Sequence, residues 1–259
     1  MEKITARNND KIKYVCSLAA SASKRRESGE FLLEGARLCA DAALSGVETV
    51  RAFFTADAVA DYAEYVSAVE GVCGECYEIS SEVALKLSDT GTPQGVFCIC
   101  RMREHPIESL AAGGRYLALE NIQDPSNTGA ICRSAEALGL DGLIISGGCD
   151  IYNPKALRAA MGSSLRLNIL TCGSLAEFLN NAAGFLRLAS VPDSSAKDIR
   201  TVCGETARGI ICCVGNEGNG LSEEVISACD ERVTIPMQGR AESLNASAAA
   251  AILAWELKR

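Results

Sequence analysis

The second half of the sequence alternates short apolar segments with amphipathic ones, and this alternation restricts the chain to an α/β fold. Apolar runs with strand character lie at residues 116–119, 143–145 and 209–214, and each precedes a segment with helical spacing. The run at 165–170 is also predicted to be a strand. Because strands joined through helices pair in parallel, we expect a parallel sheet covered by helices.

Three loops after predicted strands carry much of the polarity of this half. They follow Leu119, Val214 and Ile235. Ligands of parallel sheets bind beyond the carboxyl ends of the strands, so we expect these loops to converge on one site. The third loop passes through Ser243 and Asn245, which are helix-capping residue types, into a helix of Ala and Ser. By itself that junction also fits a capped core helix.

The first hundred residues indicate a second, smaller α/β domain. Strands are predicted at 50–54 and 95–100, with helices at 56–69 and 81–87. Residues 101–114 contain charges, a proline and a Gly-Gly pair without a clear period, which is typical of a linker. We therefore predict domains at 1–100 and 115–259, joined by a linker at 101–114.

Composition and charge exclude several classes of protein. The 259 residues are 48% hydrophobic, which requires a folded core, and the net charge of −8 argues against nonspecific nucleic-acid binding along the whole chain. The sequence has neither a signal-peptide core nor an apolar run of 18 residues, so we expect a cytoplasmic protein without a membrane span, whose 13 cysteines are thiols. Seven basic against four acidic residues in the first 30 fit either a local basic patch or a solvated surface.

Several kinds of site are disfavoured by the residues present. His105 is the only histidine, so a Ser-His triad and a His-rich metal site are excluded. Cys73 and Cys76 have zinc-ligand spacing but no second pair repeats it, and we predict no metal site. The glycine-rich loop at 214–222 lacks the spacing of a dinucleotide fingerprint. Glu217 in that loop would repel phosphate, which favours a neutral or cationic ligand.

Together the three loops resemble the three motifs of the SpoU, or TrmH, family of RNA 2′-O-ribose methyltransferases within the SPOUT superfamily. The matching residues are Asn121, Asp124, Pro125, Asn127, Gly129, Ile131 and Arg133 in the first motif, Gly215, Asn216, Glu217, Gly218 and Gly220 in the second, and Ile235, Pro236, Met237, Gly239, Ser243, Leu244 and Asn245 in the third. The resemblance covers residues 116–259, with Asn168 and Ala246 standing where many members have Pro and Val. Residues 31–37 and 87–95 resemble the family's small substrate-binding domain.

The resemblance implies a fold, a donor and a set of site residues. It implies a C-terminal SPOUT-type parallel-sheet domain with a deep trefoil knot, a smaller N-terminal α/β RNA-binding domain, and a homodimer formed through the catalytic domain. S-adenosylmethionine is the implied methyl donor, and RNA, with rRNA favoured over tRNA, is the implied substrate. The residues implied in catalysis are Arg133, Asn127, Glu217, Ser243 and Asn245. Those implied in donor binding are Gly215, Asn216, Gly218, Ile235, Met237, Ser243 and Leu244.

RNA contacts are expected in the N-terminal half. Lys24, Arg25 and Arg26 form the densest positive run of the chain, and Arg37 lies in the segment that resembles the substrate-binding domain. The role of Arg133 stays open between general base and electrostatic stabiliser. Two other functions also stay open, a catalytically silent RNA-binding relative and a small-molecule enzyme that binds a nucleotide at the glycine-rich loop.

Overall fold

The computed structural model of the protein describes residues 1–103, 110–202 and 208–258. By its internal contacts the chain divides into two compact units. The N-terminal unit comprises Met1–Arg103 and Tyr152–Leu165, and the C-terminal unit comprises Glu104–Ile151 and Arg166–Arg259. The segment Tyr152–Leu165, which the sequence assigned to the C-terminal domain, therefore groups with the N-terminal unit. Residues 104–109 of the predicted linker, including His105, lie outside the described residues.

The N-terminal unit is built on a five-stranded mixed sheet. Its strands are β1 (Glu2–Ile4), β2 (Glu30–Glu34), β3 (Thr49–Phe54), β4 (Cys76–Ile79) and β5 (Val96–Arg101). The order across the sheet is β1-β4-β3-β5-β2, and β5 runs antiparallel to both of its neighbours. The helices of this unit are α1 (Asp10–Ala20), α2 (Ala22–Ser28), α3 (Ala36–Leu44), α4 (Ala56–Asp61), α5 (Ala63–Glu70), α6 (Ser81–Leu87) and α8 (Pro154–Ala160).

The two faces of this sheet bury alternate side chains of the same strands. Along β2, Phe31 and Leu33 enter one apolar cluster and Leu32 enters the other. Along β3, Phe54 and Phe53 divide in the same way. Each of these side chains is almost fully buried, and removing one such side chain from water contributes about 1.5–3 kcal/mol to folding. The sheet therefore has a core on each face.

The C-terminal unit is built on a seven-stranded sheet in which every described strand pair is parallel. The strands are β6 (Arg115–Glu120), β7 (Gly142–Ser146), β8 (Ile169–Cys172), β9 (Phe185–Ser190), β10 (Lys197–Asp198), β11 (Gly209–Val214) and β12 (Glu231–Thr234), in the order β10-β12-β9-β11-β6-β7-β8. The remaining helices are α7 (Pro125–Ala137), α9 (Ser163–Arg166), α10 (Leu175–Asn181), α11 (Ile199–Val202), α12 (Glu223–Ala228) and α13 (Ala246–Lys258). The prediction of a parallel α/β sheet is confirmed.

The structure differs from the sequence prediction in the bounds of two elements, and it contains elements that were not predicted, among them β2, α1 and α11. The predicted strand at 165–170 is wrong, because α9 occupies Ser163–Arg166 and β8 begins only at Ile169. A short apolar run does not distinguish helix from strand, and here a turn at Gly162, with φ +87°, starts a helical segment that buries Leu165. The predicted helix at 56–69 is two helices that meet at Tyr62. The short strands β1 and β10 were not predicted.

No helix in the part of the chain that the structure describes is long and apolar enough to span a membrane.

Candidate active site

The three motif loops meet at the carboxyl edge of the C-terminal sheet. Strands β6 and β11 are neighbours, and Leu119 pairs with Val214 at their ends, so the first two loops start at the same level. The side-chain amide of Asn216 donates a hydrogen bond of 2.8 Å to the carbonyl oxygen of Asn121, which joins these loops directly. The convergence of loops predicted from strand ends is therefore present in the C-terminal unit.

Asn127 connects all three loops. It lies on α7, is 9% exposed, and donates from Nδ2 to Glu217 Oε1 at 2.9 Å. Its Oδ1 accepts a 3.2 Å hydrogen bond from Nδ2 of Asn245 in the third loop. The Asn245 Oδ1 accepts the amide of Ser247, so the same side chain also caps α13. A single buried amide thus links the second loop to the start of the last helix.

Glu217 is held as a carboxylate by donors from the first loop. Besides Asn127, the backbone amides of Gln123 and Asp124 donate to it at 3.2 and 3.4 Å. Partial burial alone would raise the pKa of this carboxyl, but the hydrogen bond from Asn127 and those from the backbone outweigh it and hold the pKa below its ordinary value. Glu217 therefore places a negative charge at this edge at neutral pH.

Close packing explains two glycines near the site, Gly215 in the second motif loop and Gly147 directly after β7. The second loop is a tight turn in which Asn216 and Gly220 exchange backbone hydrogen bonds of 3.0 and 2.9 Å. A Cβ on Gly215 would collide with the backbone of Gly220. On the other side, Asn121 has φ +53°, and a Cβ on Gly147 would collide with its side chain.

A cavity of about 650 Å³ lies between the second and third loops. All seven predicted donor-binding residues line it, namely Gly215, Asn216, Gly218, Ile235, Met237, Ser243 and Leu244, as do Glu217 and Asn245. Its apolar side is formed by residues such as Val214, Leu221 and Leu253. The cavity therefore combines an apolar wall with one carboxylate and several exposed backbone groups, and its size is in the range of small-ligand sites.

Arg133 is not brought to this cavity by its own chain. It is exposed on α7 and does not line the cavity, whereas Asn127 on the same helix is buried toward the loops. The two are six positions apart, so their side chains point about 120° apart around the helix axis. Of the predicted catalytic set, Glu217, Ser243 and Asn245 therefore line the cavity, Asn127 is hydrogen-bonded to two of them, and Arg133 lies elsewhere on α7.

Sequence reasoning missed residues that shape the site. Glu120 at the end of β6 accepts both the backbone amide and the hydroxyl of Ser222, at 2.8 and 2.7 Å, and so holds the end of the second loop. Asp193 and Arg232 line the cavity and form an ion pair of 2.9 Å. The sequence did carry a signal for Glu120, because it is a carboxylate at the end of a buried strand. Asp193 carried no comparable signal, because only the sheet order places the end of β9 beside β11.

The structure contradicts the predicted RNA contact of Arg25. Its side chain is buried, with 2% exposure, and Nη1 donates to the carbonyl oxygens of Leu18 and Ala19 at 2.6 and 3.1 Å. The guanidinium satisfies orphan carbonyls at the end of α1, so a phosphate cannot reach it. Lys24 is partly exposed and lies 3.3 Å from Glu27.

Arg26 and Arg37 are exposed, so two of the four predicted RNA contacts remain fully accessible. No group of three or more His, Cys, Asp or Glu side chains among the described residues is arranged to hold a metal ion. Cys73 and Cys76 are free thiols, and burial raises the pKa of Cys76 to about 12.

Comparison with known proteins agrees with this geometry. A family model described as the SpoU rRNA Methylase family matches residues 114–255, and one described as the MRM3-like substrate binding domain matches residues 9–98. The chain is 28% identical over 260 residues to the 23S rRNA (guanosine(2553)-2′-O)-methyltransferase RlmP of Bacillus subtilis, covering 100% of both chains. It is 30% identical to an uncharacterized tRNA/rRNA methyltransferase of Synechocystis, covering 99% of this chain and 93% of the relative. The crystal structure of the AdoMet-bound rRNA methyltransferase from Sinorhizobium meliloti has a TM-score of 0.87 and 26% identity, covering 99% of this chain and 97% of that one.

Proposed function

This chain belongs to the SpoU rRNA methylase family, and we propose that it transfers the methyl group of S-adenosylmethionine to a ribose 2′-hydroxyl of ribosomal RNA. The observation that carries the proposal is the 650 Å³ cavity between the second and third motif loops, whose lining residues Glu217 and Asn245 are both hydrogen-bonded to Asn127 of the first motif. Relatives matched along their whole length are named 23S rRNA 2′-O-methyltransferases, which favours rRNA over tRNA.

The residues present fit this donor. When bound, S-adenosylmethionine supplies an electrophilic methyl group on a positively charged sulfur. The ionised Glu217 at the cavity edge favours a cationic ligand, and the apolar wall suits an adenine ring. Backbone groups at Gly215, Ile235, Met237 and Leu244 would hold the adenine and ribose. A dinucleotide is disfavoured, since the same carboxylate repels phosphate.

The chain's own residues would align the acceptor hydroxyl and handle its charge. Asn127, Glu217 and Asn245 keep the loops in one arrangement, and such positioning provides much of the rate of an in-line transfer. Ser243 is exposed beside them and is free to contact substrate. Because a guanidinium keeps its proton at neutral pH, Arg133 would hold the substrate phosphate and stabilise the developing alkoxide, while that phosphate or a water molecule accepts the hydroxyl proton.

A homodimer would bring Arg133 to the site. Apolar side chains are exposed on α13 and in the third loop, with Trp255 61% and Leu244 39% exposed. Burying these against a second copy removes apolar surface from water. Because one chain leaves Arg133 outside its cavity, the partner's Arg133 would complete each active site. The trefoil knot, the use of Arg26 and Arg37 on RNA, and a cytoplasmic location belong to the same proposal.

The test of the function is methyl transfer from labelled S-adenosylmethionine to a 23S rRNA transcript, with the product nucleotide identified as 2′-O-methylated. A Glu217→Ala variant should lose the activity, whereas Asn181→Ala, an exposed substitution on α10, should retain it. Donor and RNA binding without transfer in the wild-type protein would instead indicate a catalytically silent RNA-binding relative.

The dimeric site is tested separately by subunit mixing. Arg133→Ala and Glu217→Ala proteins should each be inactive alone. If the two residues act across the interface, a mixed dimer holds one site with both residues intact, and mixing should restore part of the activity. If Arg133 and Glu217 act within one chain, every site of the mixture lacks one residue and activity stays absent.

A further inference from the structure

A second cavity lies wholly within the N-terminal unit, and none of its lining residues lines the cavity of the C-terminal unit. It has a volume of about 300 Å³ and is lined by α1, β2, α3, the segment after α6, and α8 of the Tyr152–Leu165 segment. Its walls are aliphatic, with Leu32, Leu38, Leu87, Leu157 and Pro154 among them. A volume at the lower end of small-ligand sites suits one flat heterocycle and is less than half that of the donor cavity.

One end of this cavity is polar and is organised around Glu34. Its carboxylate, only 10% exposed, accepts hydrogen bonds from the hydroxyls of Ser88 and Thr90 and from the amide of Asp89. Arg158 enters the same group from α8 and donates from Nη2 to Asp89 Oδ2 at 2.8 Å. The polar end is therefore a fixed network built from β2, the 88–90 turn and α8.

The network leaves one donor without a hydrogen bond. Nη1 of Arg158 is buried and lies 3.7 Å from Glu34 Oε2, which is within ion-pair distance but too far for a hydrogen bond. A buried donor left unpaired costs free energy, so a ligand that presents an acceptor there gains affinity. A carbonyl oxygen or ring nitrogen of a nucleobase is such an acceptor.

The charges of the cavity exclude an anion. Glu34 and Asp89 contribute two negative charges, and Lys86 and Arg158 contribute two positive ones, so the lining is neutral in sum. The Lys86 ammonium already donates to the carbonyl oxygen of Arg7 at 2.7 Å. A phosphate placed at the polar end would face two carboxylates, whereas an uncharged ring can place its polar edge there and its faces against leucine side chains.

From these observations we propose that the cavity binds one unpaired base of the RNA substrate, with the polar edge of the base at Arg158 Nη1 and its faces between the aliphatic walls. Proteins that read RNA by sequence commonly target unpaired bases that are splayed out and hydrogen-bonded on their polar edges. The inference rests on the proposed function, and it gives the N-terminal unit a means of choosing the RNA that is separate from phosphate contacts.

Two substitutions in the full-length protein test the pocket, each with a matched control. Ala19→Leu extends a side chain on α1 into the cavity, and Ala63→Leu makes the same change at an exposed position on α5. Arg158→Lys keeps the charge but removes the Nη1 donor. Arg51→Lys is its control, because Arg51 also pairs with a carboxylate at 2.8 Å and is 31% exposed against 29% for Arg158. Thermal melting verifies that each variant folds.

The readout is affinity for a 23S rRNA transcript at several salt concentrations. Ala19→Leu and Arg158→Lys should weaken binding about tenfold, as expected for loss of one base contact, with an unchanged salt slope because no charge is removed. Both controls should bind like the wild type, and S-adenosylmethionine affinity should be the same in all five proteins. Wild-type rRNA affinity in the folded Ala19→Leu variant would overturn the proposal.

Free nucleosides distinguish an RNA base from a small metabolite. Each of the four ribonucleosides is titrated into protein saturated with S-adenosylmethionine, so that the donor cavity is filled. Micromolar nucleoside binding that Ala19→Leu abolishes, together with unchanged rRNA affinity, would assign the cavity to a free nucleoside and overturn the proposal. Failure of the wild-type protein to methylate the transcript would refute the proposed function, whereas normal methylation with no effect of Ala19→Leu would refute only the base pocket.

Discussion

Replacing Asn127 by alanine should uncouple the three loops of the candidate active site. The substitution removes the hydrogen bond to the Glu217 carboxylate at 2.9 Å and the one from Asn245 at 3.2 Å. A hydrogen bond to a charged group contributes about 1.5–3 kcal/mol and a neutral one about 0.5–1.5 kcal/mol. Because Glu217 is exposed to solvent, the lower limit of each energy range applies, and the expected loss of stability is about 2 kcal/mol.

A double-mutant cycle isolates the part of this loss that belongs to the Asn127–Glu217 contact. Unfolding free energies of Asn127→Ala, Glu217→Ala and the double variant should show a coupling of about 1 kcal/mol at pH 7. Asn127→Ala should also abolish most methyl transfer, because the loop that carries Glu217 loses its anchor. Asn181→Ala serves as the control, since its amide donates only to a backbone carbonyl on the surface of α10.

The coupling should depend on pH with a defined sign. The pKa of Glu217 is held below its ordinary value in the folded protein, so the stabilisation is present above about pH 4.5, the usual range of an unfolded glutamate, and is lost as pH falls through the lower folded value. Wild type and Glu217→Ala should therefore converge in stability in acid. Additive effects at pH 7, or a coupling that does not weaken as pH is lowered toward acid unfolding, would refute the assignment of this contact.

Four further substitutions test other parts of the structure. Arg25→Ala should destabilise the protein by about 2–3 kcal/mol in denaturant unfolding, since it removes a buried guanidinium from two carbonyls. Arg26→Ala should change the free energy of unfolding by no more than about 0.5 kcal/mol. It should flatten the slope of log RNA affinity against log salt concentration by up to about 0.7–0.9. Equal effects of Arg25→Ala and Arg26→Ala on stability would contradict the assigned burial. Gly215→Ala should abolish S-adenosylmethionine binding in calorimetry, because its Cβ collides with the second loop's own backbone; normal affinity would show that the turn adapts. Arg133→Lys should lose most turnover in single-turnover methylation with donor affinity unchanged, and near-normal turnover would remove its planar guanidinium from the reaction.

The sequence by itself determined the fold class and the family, and it predicted residues that line the cavity of the C-terminal unit. Strand and helix periods are local properties, and the loops after β6, β11 and β12 are marked by residue types that only a turn or a close backbone approach requires. Gly215 is an example, because no side chain fits against Gly220 at that turn. Since ligands of parallel sheets bind beyond the carboxyl ends of the strands, polar loops at those ends were enough to predict a common site.

Only the tertiary structure decided the environment of individual side chains, because that environment depends on which surfaces of the fold face each other. Arg25 and Arg26 are adjacent and chemically identical in sequence, yet one is buried against the end of α1 and the other is exposed, because successive helical residues point about 100° apart and only one direction meets α1. Arg133 lies within a recognised motif, but the turn of α7 directs it away from its own cavity. The grouping of Arg158 with Glu34 likewise joins residues 124 positions apart (158 minus 34), and no local pattern records such a contact.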